Sequence, residues 1–213
     1  TYSFYWRLTG DAVNIGAVSF AGTDSFEGRN RDGTIDLLPG TYELAVGASG
    51  TATGSYAIRL LDFADALPLT LGTPVDLVQT PGNSTAVYSF TANAGEDLYF
   101  QHISGSTSPY WRLYDPLGRD MFTPGPLGDG PVNDLPLTGT YTLVVEGRIG
   151  TTSPQTTAFA IHRAVEQTVA LDLGEVVSST LANPGERDSY TFTLAQDSRL
   201  LFDSLTANDN VGW

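Results

Sequence analysis

A short aromatic string occurs twice in this chain, as Tyr5-Trp6-Arg7-Leu8 and again 105 residues on as Tyr110-Trp111-Arg112-Leu113, and Trp213 follows Trp111 by a further 102. These are the only three tryptophans. Gly40-Thr41-Tyr42 with Leu44 and Val46 returns as Gly139-Thr140-Tyr141 with Leu143 and Val145, and Tyr56-Ala57-Ile58 returns as Phe159-Ala160-Ile161. Leu71-Gly72, Tyr88-Ser89-Phe90 and Phe100 come back as Leu173-Gly174, Tyr190-Thr191-Phe192 and Phe202, each 102 residues later. A period near 100 residues matches one domain per repeat. Only the stretch around 64–165 carries the whole set of landmarks in order. Residues 1–63 hold the second half of a unit and 166–213 the first half of another. Two arrangements accommodate this. The halves are either completed by neighbouring sequence in a tandem array or joined to each other as a permuted domain. The array is expected, because Trp6 and Trp213 occupy the same landmark and one closed domain needs only one of them.

Within a unit the patterning is β, as in Tyr141-Thr142-Leu143-Val144-Val145, where alternate side chains face opposite ways. No stretch sustains a helical apolar period. Pro81-Gly82, Asn93-Ala94-Gly95, Pro116-Leu117-Gly118 and Pro184-Gly185 punctuate the runs with turn chemistry. About eight strands are expected in the complete unit, near 74–79, 85–92, 97–104, 110–115, 118–123, 131–137, 140–148 and 156–163. That density predicts an all-β fold of tandem jelly-roll or immunoglobulin-like β-sandwiches, with jelly-roll preferred. The expected structural core is Trp6, Trp111, Trp213, Tyr42, Tyr141, Phe90, Phe192, Phe100 and Phe202. The junction Arg59-Leu60-Leu61-Asp62-Phe63-Ala64-Asp65 lacks a Gly/Ser spacer, so adjacent units should abut stiffly.

Here composition narrows the role. Twenty-four acidic residues against ten basic ones give a net charge of −14, which repels phosphate backbones and anionic lipid, so no nucleic-acid partner is expected. The absence of cysteine excludes disulfides, thiolate metal sites and thiol catalysis. No run is apolar and long enough to insert in a membrane.

Taken in order, Tyr88-x-Phe90, Ala94-Gly95-x-x-Leu98-x-Phe100, Trp111-x-Leu113-x-Asp115-Pro116-x-Gly118 and Gly139-Thr140-Tyr141-x-Leu143-x-Val145 resemble bacterial pre-peptidase C-terminal domains. The resemblance spans the chain as one complete and two partial copies, and its motifs are mostly structural. It implies an extracellular β-sandwich of the kind appended to secreted enzymes or set in tandem in large surface and adhesin-like proteins. No peptidase accompanies it, so no protease activity transfers.

No catalytic constellation appears. His102 and His162 fall on different strands, with no Gly-x-Ser-x-Gly elbow or His-Glu-x-x-His pair. Asn83-Ser84-Thr85 has the form of a glycan acceptor and reads more simply as a polar turn. Calcium is the one cofactor the residues raise, through Asp203, Asn208 and Asp209 in one loop and Asp24, Glu27 and Asp32 in another, since a hard cation needs clustered oxygens. Neither loop has a dedicated calcium-loop spacing, and solvated acidic turns are the default expectation. The expected role is non-enzymatic, without a cofactor: a structural segment of a stalk, filament or adhesin shaft, at the bacterial cell surface or secreted, whose partners are neighbouring copies of the repeat. The rival is a binding module for a surface polysaccharide or matrix protein, which predicts exposed aromatics.

Overall fold

The computed structural model describes residues 4–11, 13–20, 34–123 and 125–207. The strands are β1 (Phe4–Gly10), β2 (Val13–Ser19), β3 (Tyr42–Ala48), β4 (Leu67–Pro68), β5 (Val75–Gln79), β6 (Thr85–Ala92), β7 (Leu98–Gly105), β8 (Tyr110–Tyr114), β9 (Gly125–Pro126), β10 (Gly130–Val132), β11 (Gly139–Glu146), β12 (Gln155–Arg163), β13 (Glu166–Ala170) and β14 (Arg187–Thr191). Two sheets form the central unit: β4-β6-β11-β8-β9 and β10-β7-β12-β5. From β5 to β8 each successive strand changes sheet, so the chain crosses the core at every step. The protein is an all-β sandwich.

The core lies between these sheets because alternation sends every second side chain inward. Leu98, Leu113, Tyr141, Leu143, Val145, Phe159 and Ile161 are fully buried, and Phe90, Phe100 and Trp111 nearly so. Trp111 meets Phe100 edge-on at 4.9 Å and Phe159 at 6.2 Å, so one indole ties both sheets together. Phe90 stacks on Tyr141 at 5.8 Å. Two expected strands are shorter than the pattern suggested. The 118–123 segment makes only the bridge Tyr114↔Asp120, and 131–137 contributes only Gly130–Val132. Turn residues Pro116, Gly118 and Pro136 interrupt both, and proline cannot donate to a ladder.

The flanking halves repeat the pairings of the central unit. In β1–β3, Trp6 faces Val46 and Leu8 faces Leu44; in β8–β11, Trp111 faces Val145 and Leu113 faces Leu143. In the parallel pair β13–β14, Val169 faces Tyr190, just as Leu67 faces Tyr88 in β4–β6. The Leu171 and Leu69 N–H groups then donate to Thr191 and Ser89 carbonyls, both at 2.8 Å. A hydroxyl bond also recurs: Tyr141 Oη donates to the Leu137 carbonyl at 2.7 Å and Tyr42 Oη to the Leu38 carbonyl at 2.6 Å. Both span four residues and brace the turn into the strand, as a tyrosine corner does.

Three flanking segments that match strands of the central unit by repeat position are not strands themselves. β12 pairs only with β5 and β7. Its counterpart, residues 52–60, is irregular, and so are residues 176–181 and 200–207, the counterparts of β5 and β7. An isolated edge leaves its backbone N–H and C=O groups unpaired, so alternation alone does not hold it extended.

Candidate functional site

Among the described residues, the two histidines lie apart and no metal-holding cluster forms. His162 Nε2 lies 2.9 Å from Gln101 Oε1 on the outer surface of the β7–β12 sheet, and the His102 backbone N–H donates to Asp129 Oδ1 at 2.8 Å. Among the described residues no three His, Cys, Asp or Glu side chains converge on a point that could hold a metal ion. Asp203 is exposed, while Asn208, Asp209, Asp24, Glu27 and Asp32 lie outside the described residues. The Asn83 side-chain amide donates to the Ile149 carbonyl at 3.3 Å, which ties the Pro81–Ser84 turn to the loop after β11.

The family-like landmarks occupy turns and core. Asp115 caps its turn by accepting from the Leu117 and Arg119 N–H groups at 2.8 and 3.0 Å and from Arg119 Nε at 2.7 Å. Burial pushes the Asp115 carboxyl up, but the Arg119 guanidinium and these N–H donors prevail and hold it below its ordinary value. Gly118 takes φ +76° within this turn. A Cβ on Gly139 would sit 2.8 Å from Pro116 Cγ, so the Asp-Pro-x-Gly turn packs directly on the Gly-Thr-Tyr strand.

The expected core residues divide by location. Trp6, Trp111, Tyr141, Phe90 and Phe100 are buried. Tyr42 is half-buried. Phe192 and Phe202 are 47% and 66% exposed, which corrects their assignment as core, because the sheet that would face them is not formed by the C-terminal half. Trp213 lies outside the described residues.

The best-built surface lies at the junction ahead of the central unit, and no local pattern marks it. Asp62 caps a single 3-10 turn, Phe63–Asp65, its Oδ1 accepting the Ala64 N–H at 2.9 Å. That turn lays Phe63 against Tyr114, ring centroids 5.3 Å apart, and Phe63 and Ala66 pack on Val87, Tyr114 and Val144. These three point away from the sandwich core, yet each is buried, Val144 at 8% exposure. Arg59 donates to the Thr85 carbonyl and the Leu69 N–H to that of Ser89, so the linker runs along β6. Beside this surface Arg112 is 1% exposed and makes a two-pronged contact with Asp120, Nη1 to the two carboxylate oxygens at 3.1 and 2.8 Å.

The following junction is also short. The Ala164 N–H donates to the Asp97 carbonyl at 2.8 Å and the Arg187 N–H to that of Val165 at 2.9 Å. Gly185, with φ +79°, sits so close against Tyr99 that a side chain there would overlap the Tyr99 Cβ.

On β1 and β3, Arg7, Thr9 and Ala45 stand where Arg112, Tyr114 and Val144 stand in the central unit. Nothing plugs them. With Tyr5, Glu43, Val46 and Gly47 they line an open depression of about 450 Å³.

No known protein-family profile matches the sequence, and no curated protein matches it. Similar solved structures include PliG of Aeromonas hydrophila, a periplasmic inhibitor of g-type lysozyme (16% identity, 46% of this chain and 94% of that chain, TM-score 0.39). A second is PliG of Salmonella Typhimurium, also a periplasmic inhibitor of g-type lysozyme (15% identity, 46% and 96%, TM-score 0.36). A third is the pre-peptidase C-terminal domain of collagenase from Bacillus anthracis (19% identity, 46% and 94%, TM-score 0.33).

Proposed function

We propose that this chain is a non-enzymatic structural segment of an extracellular bacterial protein, a run of acidic β-sandwich repeats that holds distance in a stalk, filament or adhesin shaft. The observation that carries the reading is the Phe63–Ala66 plug on Val87, Tyr114 and Val144. A linker seated in the next unit's outer sheet fixes the angle between neighbours, whereas a tethered binding module needs no such seat. The burial of Trp111, Tyr141, Phe90 and Phe100 supports the same reading, since rings committed to the core are not available to stack on sugars. The role calls for no cofactor, and net negative charge along the rod keeps neighbouring rods apart.

Hydrogen exchange across residues 59–69 tests it. The amides are expected to be protected in the native chain and to exchange at least tenfold faster in Phe63→Ser, with the core of the sandwich unaffected. Unprotected exchange in the native chain would remove the rigid joint and with it the shaft. Saturable binding to a polysaccharide or matrix-protein array, lost in Tyr56→Ala, would instead establish the binding module.

A further inference from the structure

The chain enters and leaves the central unit at opposite ends of β6. The preceding linker comes in at the Thr85 end, where Arg59 donates to the Thr85 carbonyl. It then follows β6 in parallel, Leu67 facing Tyr88 and Pro68 facing Ser89. At the other end Arg163, the last residue of β12, faces Leu98, the first of β7. Its guanidinium donates to the Thr91 carbonyl and to Glu96 Oε2, both at 3.2 Å.

The exit end also carries a built contact. Only Ala164 and Val165 separate β12 from β13, and each is tied to a different unit. The Ala164 N–H donates back to the Asp97 carbonyl at 2.8 Å, and the Val165 carbonyl accepts the Arg187 N–H at 2.9 Å. Two residues bonded in this way have no length in which to swing. Arg187 opens β14, and its guanidinium lies 2.7 Å from Glu166. Glu166 first, and then Asp97 across the joint, hold that guanidinium charged. The turn ahead of Arg187 is fixed by Glu186, which accepts the Ala182 and Asn183 N–H groups at 2.8 and 2.9 Å. This sets Gly185 directly on Tyr99, which points outward from β7 between the core residues Leu98 and Phe100. The central unit has the matching turn at its own entry end. There the Ser84 N–H donates to the Pro81 carbonyl at 2.9 Å, as the Glu186 N–H donates to that of Asn183 at 3.2 Å.

Direction follows from the strands. β14 begins at the end of the central unit where β6 finishes, and it runs parallel to β13, as β6 does to β4. Past the joint β13 and β14 pack chiefly on each other, so they lead away from the central unit and do not fold back along it.

We infer that the exit end of a unit, built from Asp97 and Tyr99, is the seat for its successor's entry turn, so that units stand end to end and all point the same way. Eight residues of β6 and two of linker set the step at about 33 Å per unit. The contact joins two different surfaces, so it propagates without closing. The inference rests on the structural reading above and adds a direction and a rise to it.

Because the chain has no cysteine, spin labels go only where thiols are introduced. Thr152→Cys lies in the exposed loop at the entry end of the central unit, and Glu175→Cys in the exposed turn after β13. Two strand lengths and the linker put this pair about 50 Å apart, whereas units set side by side would bring it under about 40 Å. Pulsed electron–electron distance measurement on the full chain should give one narrow peak near the longer value. In Gly185→Asn the φ of +79° is kept, since asparagine tolerates it, but a Cβ is driven onto Tyr99, and the peak should broaden at least twofold. The melting of the central unit, followed by tryptophan fluorescence, should stay unchanged in that variant. A native peak under about 40 Å, or a broad native distribution, overturns the end-to-end arrangement. A Gly185→Asn peak as narrow as the native one overturns the seat on Tyr99. Amide protection across 59–69 is read independently, so a failure here is distinguishable from a failure of the structural reading.

Discussion

The hydroxyl brace that recurs in two units permits the same chemical change to be made twice in different surroundings. Tyr141 is fully buried, and its Oη both donates to the Leu137 carbonyl at 2.7 Å and accepts the Leu137 N–H at 3.3 Å. In Tyr141→Phe the half-buried Leu137 peptide loses a partner that water does not readily replace, at a cost of about 1–2 kcal/mol. For a unit of about 100 residues that lowers the melting temperature by roughly 4–16 °C. Tyr42 makes the corresponding bond to Leu38, but Leu38 is 68% exposed, so water takes over the freed carbonyl. Tyr42→Phe should therefore cost no more than about 0.5 kcal/mol. Urea unfolding read by peptide-resolved hydrogen exchange separates the central unit, through peptides in 98–146, from the N-terminal half. Equal losses in the two variants would refute the argument, because they would show that desolvation of the carbonyl does not set the cost. A loss below about 0.3 kcal/mol in Tyr141→Phe would refute it from the other side.

Other outcomes follow from the same packing. Trp111→Ala removes the ring that bridges both sheets and should cost about 3–5 kcal/mol in the central unit, read from the urea midpoint. Gly139→Ala forces a methyl against Pro116 and should cost about 1–3 kcal/mol by the same measurement, while Gly125→Ala, with open space around it, should be near neutral. Asp115 is held below its ordinary carboxyl range, so its contribution is full above about pH 4 and is lost as pH falls through its folded value. Accordingly the stability of the central unit should drop as pH falls below about 4, and Asp115→Asn should flatten that part of the profile. Millimolar calcium should leave the melting temperature of the chain unchanged, and a rise would assign a cation site to the acidic loops.

The principal strands and the inward residues of the central unit were legible because period-2 alternation and turn residues are local signals. Tyr88, Phe90, Leu98, Phe100, Trp111 and Leu143 all read as one-sided, and all face the core. What local pattern could not carry was the second buried surface. Arg112 and Val144 sit at alternating positions that read as solvent-facing, and the residues that occupy the outer face beside them come from a linker more than 20 residues upstream of its contacts on β6. The two-residue β4 escaped notice for a related reason, since Leu67-Pro68 has no length over which to alternate. The irregularity of 52–60 was hidden too. Its sequence is as strand-like as that of β12, and only the distribution of pairing partners between halves tells them apart. Exposure of Phe192 and Phe202 has the same origin.

The pairing of β5 with β12 sets a schedule for synthesis. Val75 meets Phe159, 84 residues later in the chain, and β5 has no other strand beside it. At about 5–20 residues per second, β5 leaves the ribosome on the order of ten seconds before its partner. During that interval Leu77 waits uncovered, while the nearest finished β12-like segment is that of the preceding repeat, already engaged wherever that repeat is closed. Were such units set in tandem, closing one after another would protect each new one from pairing with the wrong neighbour.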